Sequence, residues 1–171
     1  MFRTYGYEGT RVDDIVERAG ISHGAFYLYF RNKEDLLHRM AVECAEGLRG
    51  LTTQLETMPR PVDPDDLESW VSRFVAAYHD DGPVIRAWLD NREAGPLMQA
   101  LANDALGPLA RALGAIVDPV TVAAVGEDLT GLGMLALLER LSSYFANADR
   151  DIVTTTAARL LYGATAEAAP G

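Results

Sequence analysis

TRVDDIVERAGISHGAFYLYFRNKEDLL, residues 10–37, reads as two short helices joined by a glycine corner, with a third helix starting directly behind them. The Thr10 hydroxyl can cap the first helix, and Asp13 three residues on makes an acidic version of the capping box. Val12, Ile15, Val16 and Ala19 follow at i, i+3, i+4 and i+7, an apolar face about two turns long. Gly20 is the natural left-handed stop, because glycine takes that conformation without a Cβ penalty. Ile21 is expected to turn into the core, and Ser22 to cap the next helix.

That second helix is expected over His23 to Phe30. Phe26 and Phe30, four apart, anchor it to the first, which leaves Gly24, Tyr27 and Leu28 on the opposite arc. A bare Gly–Tyr–Leu arc is an odd surface for an ordinary solvated helix. It makes sense where glycine permits close approach and Tyr27 lies along a sugar-phosphate strand. For Tyr29, packing and phosphate contact both stay open. Asn32 caps the third helix, and Lys33, the only lysine in the chain, falls in its first turn. A cation there opposes the helix dipole, a cost that a neighbouring phosphate would offset. The unit as a whole has the layout of a helix-turn-helix, which presents one helix to the major groove of DNA.

The residues Phe2, Gly6-Tyr7, Thr10, Ile15, Ala19-Gly20-Ile21-Ser22, Gly24, Phe26-Tyr27, Tyr29-Phe30, Asn32-Lys33-Glu34 and Leu36 resemble the tetracycline-repressor (TetR-type) DNA-binding domain over about the first forty positions. The resemblance implies an all-helical homodimer that binds a palindromic operator, most often as a repressor, and lets go when a small molecule fills the C-terminal body. Residues 1–40 would be the DNA-binding domain and residues 41–171 the ligand-binding and dimerisation domain. Carried over by position, Thr10 and Ser22 cap helices and touch phosphates. His23, Gly24, Ala25 and Leu28 face base edges, while Tyr27, Tyr29 and Lys33 grip the backbone and Arg11 joins the DNA-facing set. Two departures stand out. His23 occupies a place where the family often has lysine or arginine. Of the full first helix that precedes the family's Gly-Tyr turn, this sequence contains only the last turn. The expectation is either a natural chain extending upstream of Met1 or an incomplete head.

The chain has 171 residues and a net charge of −10, which argues against diffuse attraction to nucleic acid by the molecule as a whole. The charge is unevenly spread. Residues 1–40 hold six basic and six acidic residues, whereas residues 41–171 hold nine basic and nineteen acidic ones. A neutral head predicts modest affinity and a shallow salt slope. No apolar run approaches the roughly 18 residues of a membrane span, and no signal segment opens the chain, so a cytoplasmic protein without a membrane partner is expected. Lone Cys44 excludes an internal disulfide and a multi-cysteine metal site. Its apolar helical setting reads as a buried structural thiol.

Past the head, Leu36 to about Leu55 reads as one helix, and the prolines of residues 58–64 as a linker. A helix capped by Asp63 or Asp65 is expected to stop at Asp80-Asp81-Gly82-Pro83, with a shorter one to Glu93. Residues 97–117 should be helical with a break at Gly107-Pro108. Asp118-Pro119 should open one long helix to Tyr144, and Asp149 should cap a last helix ending near Tyr162. Trp70, Phe74, Tyr78, Trp88 and Met98 group large aromatic and adaptable side chains within residues 67–98. They are either core or a pocket for an apolar or aromatic effector, with Tyr78, His79 or Asn91 as polar fixings. The helix over 120–144 is apolar on most sides and, paired with the last helix, suits a subunit interface built on Leu129, Leu132, Gly133, Leu138, Leu141, Ala157 and Leu161. Glu127-Asp128 and Glu139-Arg140 are expected at an exposed edge or in an inter-subunit ion pair.

The three histidines are scattered, and no HExxH, GxSxG, Walker-type or dinucleotide fingerprint occurs. No enzyme, cofactor or metal is expected. The alternative class is a helical small-molecule-binding or scaffold dimer that no longer binds DNA.

Overall fold

The computed structural model describes residues 2–90, 96–145 and 149–165. The head comprises α1 (Phe2–Tyr5), α2 (Val12–Ala19) and α3 (His23–Tyr29). The body comprises α4 (Lys33–Glu56), α5 (Pro64–Asp90), α6 (Pro96–Gly114), α7 (Pro119–Val125), α8 (Glu127–Tyr144) and α9 (Arg150–Tyr162). Among the described residues, the only β feature is an isolated bridge between Val117 and Thr165. The fold is all-α.

In the head, Val16 and Phe26 close a small core between α2 and α3. Gly20 takes the left-handed conformation at φ 66° and ends α2. Ser22 caps α3, its Oγ accepting from the Ala25 amide at 3.1 Å. Two expectations fail here. Thr10 is buried and donates its hydroxyl to the Gly6 carbonyl at 2.6 Å. The cap position therefore falls to Arg11, whose amide is held by Asp14, not Asp13, at 3.0 Å. Ile21 does not enter the core but is 43% exposed, because the left-handed turn carries it to the outside of the corner.

Asn32 caps α4 by accepting from the Asp35 amide at 2.8 Å, and the Asp35 carboxylate in turn accepts from the Arg31 amide at 3.0 Å. From there α4 runs unbroken past residue 40 to Glu56, so head and body share one rod. In the body α8 lies along α6, α6 along α4, α4 against α5, and α5 against α9. Leu48, Leu55, Leu67, Trp70, Leu109, Leu113, Leu138 and Leu161 form its centre.

Two expected breaks are absent, and one break falls where none was expected. α5 passes through Gly82-Pro83, and α6 carries Pro108 inside it. Buried residues follow the proline in both helices (Val84 and Ile85 in one, Leu109 and Ala110 in the other), and their burial offsets the roughly 3 kcal/mol that an internal proline costs. Conversely, the single helix expected over 120–144 is two, bent by 105° at Gly126, whose φ is 93°. The bend puts Glu127 and Asp128 in the first turn of α8, where carboxylates suit the helix dipole. Among the described residues no single helix is long and apolar enough to cross a membrane.

Candidate nucleic-acid interface and ligand body

One face of α3 is bare. Phe26 is buried to 1%, while Tyr27, Leu28 and Tyr29 are 55%, 83% and 67% exposed. Tyr27 rests edge-on against Phe26, with ring centroids 5.3 Å apart, so its ring is braced while its surface stays open. The exposure of Tyr29 resolves that residue in favour of the surface. Gly24 is exposed, and a Cβ placed there would meet only Ser22 Oγ at 3.8 Å. No internal packing demands glycine at this position. Ala25 is half-buried, and His23 and Arg11 stand exposed beside them. Asp13 reaches both: one oxygen lies 3.2 Å from the Arg11 guanidinium and the other 3.4 Å from His23 Nε2. Sequence spacing gave no hint of that arrangement, which joins the start of α2 to the start of α3.

Two residues of the expected contact set are engaged inside the protein. Thr10 is buried in the head, as described above. Lys33 donates from Nζ to the Tyr7 carbonyl at 2.7 Å and sits 4.1 Å over the Tyr7 ring. The ring of Tyr7 lies 5.9 Å from that of Phe2, and both residues pack against the body core. The positive charge that α4's first turn disfavours is thus met by a carbonyl and a π-face of the head.

In the body, Trp70, Phe74 and Tyr78 stack along α5 with centroid separations of 5.9 and 6.3 Å, and all three are buried. Trp70 Nε1 donates to the Leu51 carbonyl at 2.9 Å, which ties the ladder to α4. Met98 is half-buried against the same core. Asn91 and the side chain of Trp88 lie outside the described residues. Glu139 is not at an edge as expected: it is buried, and Tyr78 donates its hydroxyl to Glu139 Oε1 at 2.7 Å. Arg140 is exposed, with Nε 3.6 Å from Glu139 Oε2. One turn beyond Glu139, Ser142 Oγ is buried without a hydrogen-bond partner, as is Thr154 Oγ1 on α9. Tyr78 and Glu139 are 61 positions apart, and nothing local announces their bond.

The expected subunit interface divides. Leu129, Leu132 and Gly133 are exposed, and Leu141 is half-buried. Leu138, Ala157 and Leu161 are instead inside the subunit's own core, at 0%, 1% and 1% exposure. The helical period explains it, since Leu138 sits nine residues and half a turn away from Leu129. The outward stripe of α8 is Leu129, Leu132, Gly133, Ala136, Arg140 and Tyr144, and that of α9 includes Ile152, Thr156 and Leu160.

Cys44 is buried, and burial with nearby Asp81 pushes its thiol pKa up to about 12. Among the described residues no group of three or more His, Cys, Asp or Glu side chains could hold a metal ion.

The family model described as bacterial regulatory proteins, tetR family, matches residues 1–40. An uncharacterized HTH-type transcriptional regulator of Bacillus subtilis, YfiR, is 40% identical over 58 residues, 33% of this chain and 28% of its own length. An HTH-type transcriptional repressor of Streptomyces coelicolor is 32% identical over 82 residues, 48% of this chain and 38% of that protein. These matches span well under half the length of either relative. Solved structures extend the likeness to the whole fold. The TetR-family regulator PfmR of Thermus thermophilus superposes with a TM-score of 0.66 at 20% identity, covering 94% of this chain and 92% of that one. The FadR regulator of Bacillus subtilis, solved with stearoyl-CoA, gives 0.61 at 16% identity, with 95% and 92% covered.

Proposed function

We propose that this chain, of TetR type by its head and by its fold, is a transcriptional regulator. It reads a palindromic operator as a homodimer and is released by a small molecule held in its body. The observation that carries the reading is the two-sided character of α3. Phe26 fixes its back, while Gly24, Tyr27 and Leu28 leave its front free of the protein's own side chains. Glycine inside a helix costs about 1 kcal/mol relative to alanine, and here no internal contact needs it. Close approach to a duplex supplies a reason. In that docking His23, Gly24, Ala25 and Leu28 face base edges, with Leu28 suited to a thymine methyl, and Tyr27, Tyr29, Ser22 and Arg11 contact the backbone.

Residues 1–40 then serve as the reading domain and residues 41–171 as the sensing and dimerising one, joined through α4. The exposed stripes of α8 and α9 supply the subunit contact, with Leu129, Leu132, Gly133, Ile152 and Leu160 at its centre. Two-fold pairing sets the two reading helices at the spacing of two half-sites. An effector that prefers a different spacing lowers operator affinity by its differential binding to the two states. The Trp70–Phe74–Tyr78 ladder and Met98 give the body an apolar wall. Ser142 and Thr154, whose hydroxyls are buried without a partner, are polar groups that an effector's own polar end would satisfy. The FadR structure with stearoyl-CoA is consistent with a body of this fold taking a ligand that has a long apolar part.

Enrichment from a random duplex pool tests the reading directly. The protein should select a two-fold symmetric sequence. Tyr27→Ala should lose about tenfold in affinity across sequences, the size of one charge-assisted hydrogen bond, with its oligomeric state unchanged. Recovery of no preferred duplex would reject DNA reading and leave a helical ligand-binding dimer.

A further inference from the structure

We propose that Asp13 is a positioning residue that governs specificity by restraining Arg11 and His23 on the reading face. The proposal rests on the DNA-reading role argued above and adds a device to it. Asp13 spends one carboxylate oxygen on each partner: Oδ2 on Arg11 at 3.2 Å and Oδ1 on His23 Nε2 at 3.4 Å. Arg11 belongs to the N-terminus of α2 and His23 to that of α3, so this single side chain bridges the two elements of the corner. Asp14 is already spent on the Arg11 amide, so Asp13 is not needed for the cap; in the first turn of α2 its carboxylate suits the helix dipole and is left free to reach Arg11 and His23.

All three side chains are more than half exposed, so the attraction is weak, and a phosphate can compete for either Arg11 or His23. Two consequences follow. Away from its matched sequence, Arg11 and His23 are held on the Asp13 carboxylate at the surface and the Asp13 charge repels the backbone, which suppresses binding to arbitrary duplex. At the matched sequence, α3 seats deeply enough for base and phosphate contacts to replace the Asp13 contacts. The carboxylate thus lowers indiscriminate binding more than selective binding, a negative element of the kind specificity requires. It suits a head whose first forty residues carry no net charge.

The test compares wild type, Asp13→Asn and Asp13→Glu on two probes across a salt series: an unselected random-sequence duplex and the duplex that wild type enriches. Asp13→Asn is expected to bind the random duplex about threefold or more tighter at low salt. Its affinity for the enriched duplex should rise less, and its salt slope on random duplex should steepen by about one phosphate contact. Asp13→Glu should restore discrimination. In an Arg11→Gln, His23→Gln background the effect of Asp13→Asn should vanish. Unchanged or weakened binding to both probes by Asp13→Asn would overturn the proposal, as would a gain that persists in the double-glutamine background. If Asp13→Asn unfolds the head, the double-glutamine protein decides alone. With Asp13 intact it should lose affinity for the enriched duplex more than for the random one, and equal losses would overturn the restraint. Failure of wild type to enrich any duplex would refute the DNA-reading role itself, an outcome separate from these.

Discussion

At the scale of single residues, the head depends on polar side chains whose partners lie far along the chain. Lys33 sits in the first turn of α4, yet its ammonium is spent on the carbonyl and ring of Tyr7, 26 positions earlier. A charge-assisted hydrogen bond with a cation–π contact contributes about 1–3 kcal/mol. Lys33→Gln should therefore lower the stability of the head by about that amount. Amide hydrogen exchange in α1 and α2 would register it, and unaltered protection there would show the contact to be ornamental. Asp81 is a residue-scale case of the opposite sign. Burial, then the charges of Asp80 and Glu43, raise its pKa above the ordinary carboxylate value. A raised native pKa means the folded state prefers the protonated form, so its stabilising contribution is present at acid pH and is lost as pH rises through the native pKa. Asp81→Asn should accordingly raise the melting temperature at pH 7 and do progressively less as the pH falls toward the acid range. An equal shift at both ends would remove the electrostatic cause.

Helices meet helices at points where single atoms decide the distance, and α6 against α8 is the clearest case. A Cβ on Gly131 would overlap the Ala110 carbonyl oxygen, and one on Gly114 would lie 3.0 Å from the Glu127 carbonyl oxygen. Gly131→Ala must push the two helices apart and should cost about 1–3 kcal/mol or more, by analogy with overpacked cores. Gly47 lies within α4 with nothing within 4 Å of its would-be Cβ. The same change there should stabilise by about 0.5–1 kcal/mol through helix propensity alone. Chemical denaturation of the two variants makes the contrast, and matching signs would contradict the close approach.

For the whole molecule, the large exposed apolar side chains among the described residues fall into two territories. Tyr5, Ile21, Tyr27, Leu28 and Tyr29 belong to the head, while Val120, Val125, Leu129, Leu132, Tyr144, Phe145, Ile152 and Leu160 lie on or beside α7, α8 and α9. Two changes of leucine on α8 separate association from folding. Leu132→Glu should leave a folded subunit that sediments as a monomer. Leu138→Ala, which empties a fully buried site, should cost about 2–5 kcal/mol of subunit stability. If Leu132→Glu remained dimeric, the proposed contact along α8 and α9 would be wrong.

Order along the chain was enough for the corner of the head. Gly20 as the left-handed stop, the Ser22 and Asn32 caps and the split of α3 into a buried Phe26 and an open Tyr27–Leu28 side are all local matters of period and turn chemistry. The same rules misplaced the cap at Thr10, because its hydroxyl is claimed by Gly6. They also broke α5 and α6 at prolines that tertiary burial overrides. Only the packed structure could bury Glu139 against Tyr78, or aim Asp13 at both Arg11 and His23. Such outcomes depend on which helix comes to lie beside which, and a contact between distant segments leaves no periodic trace in either one.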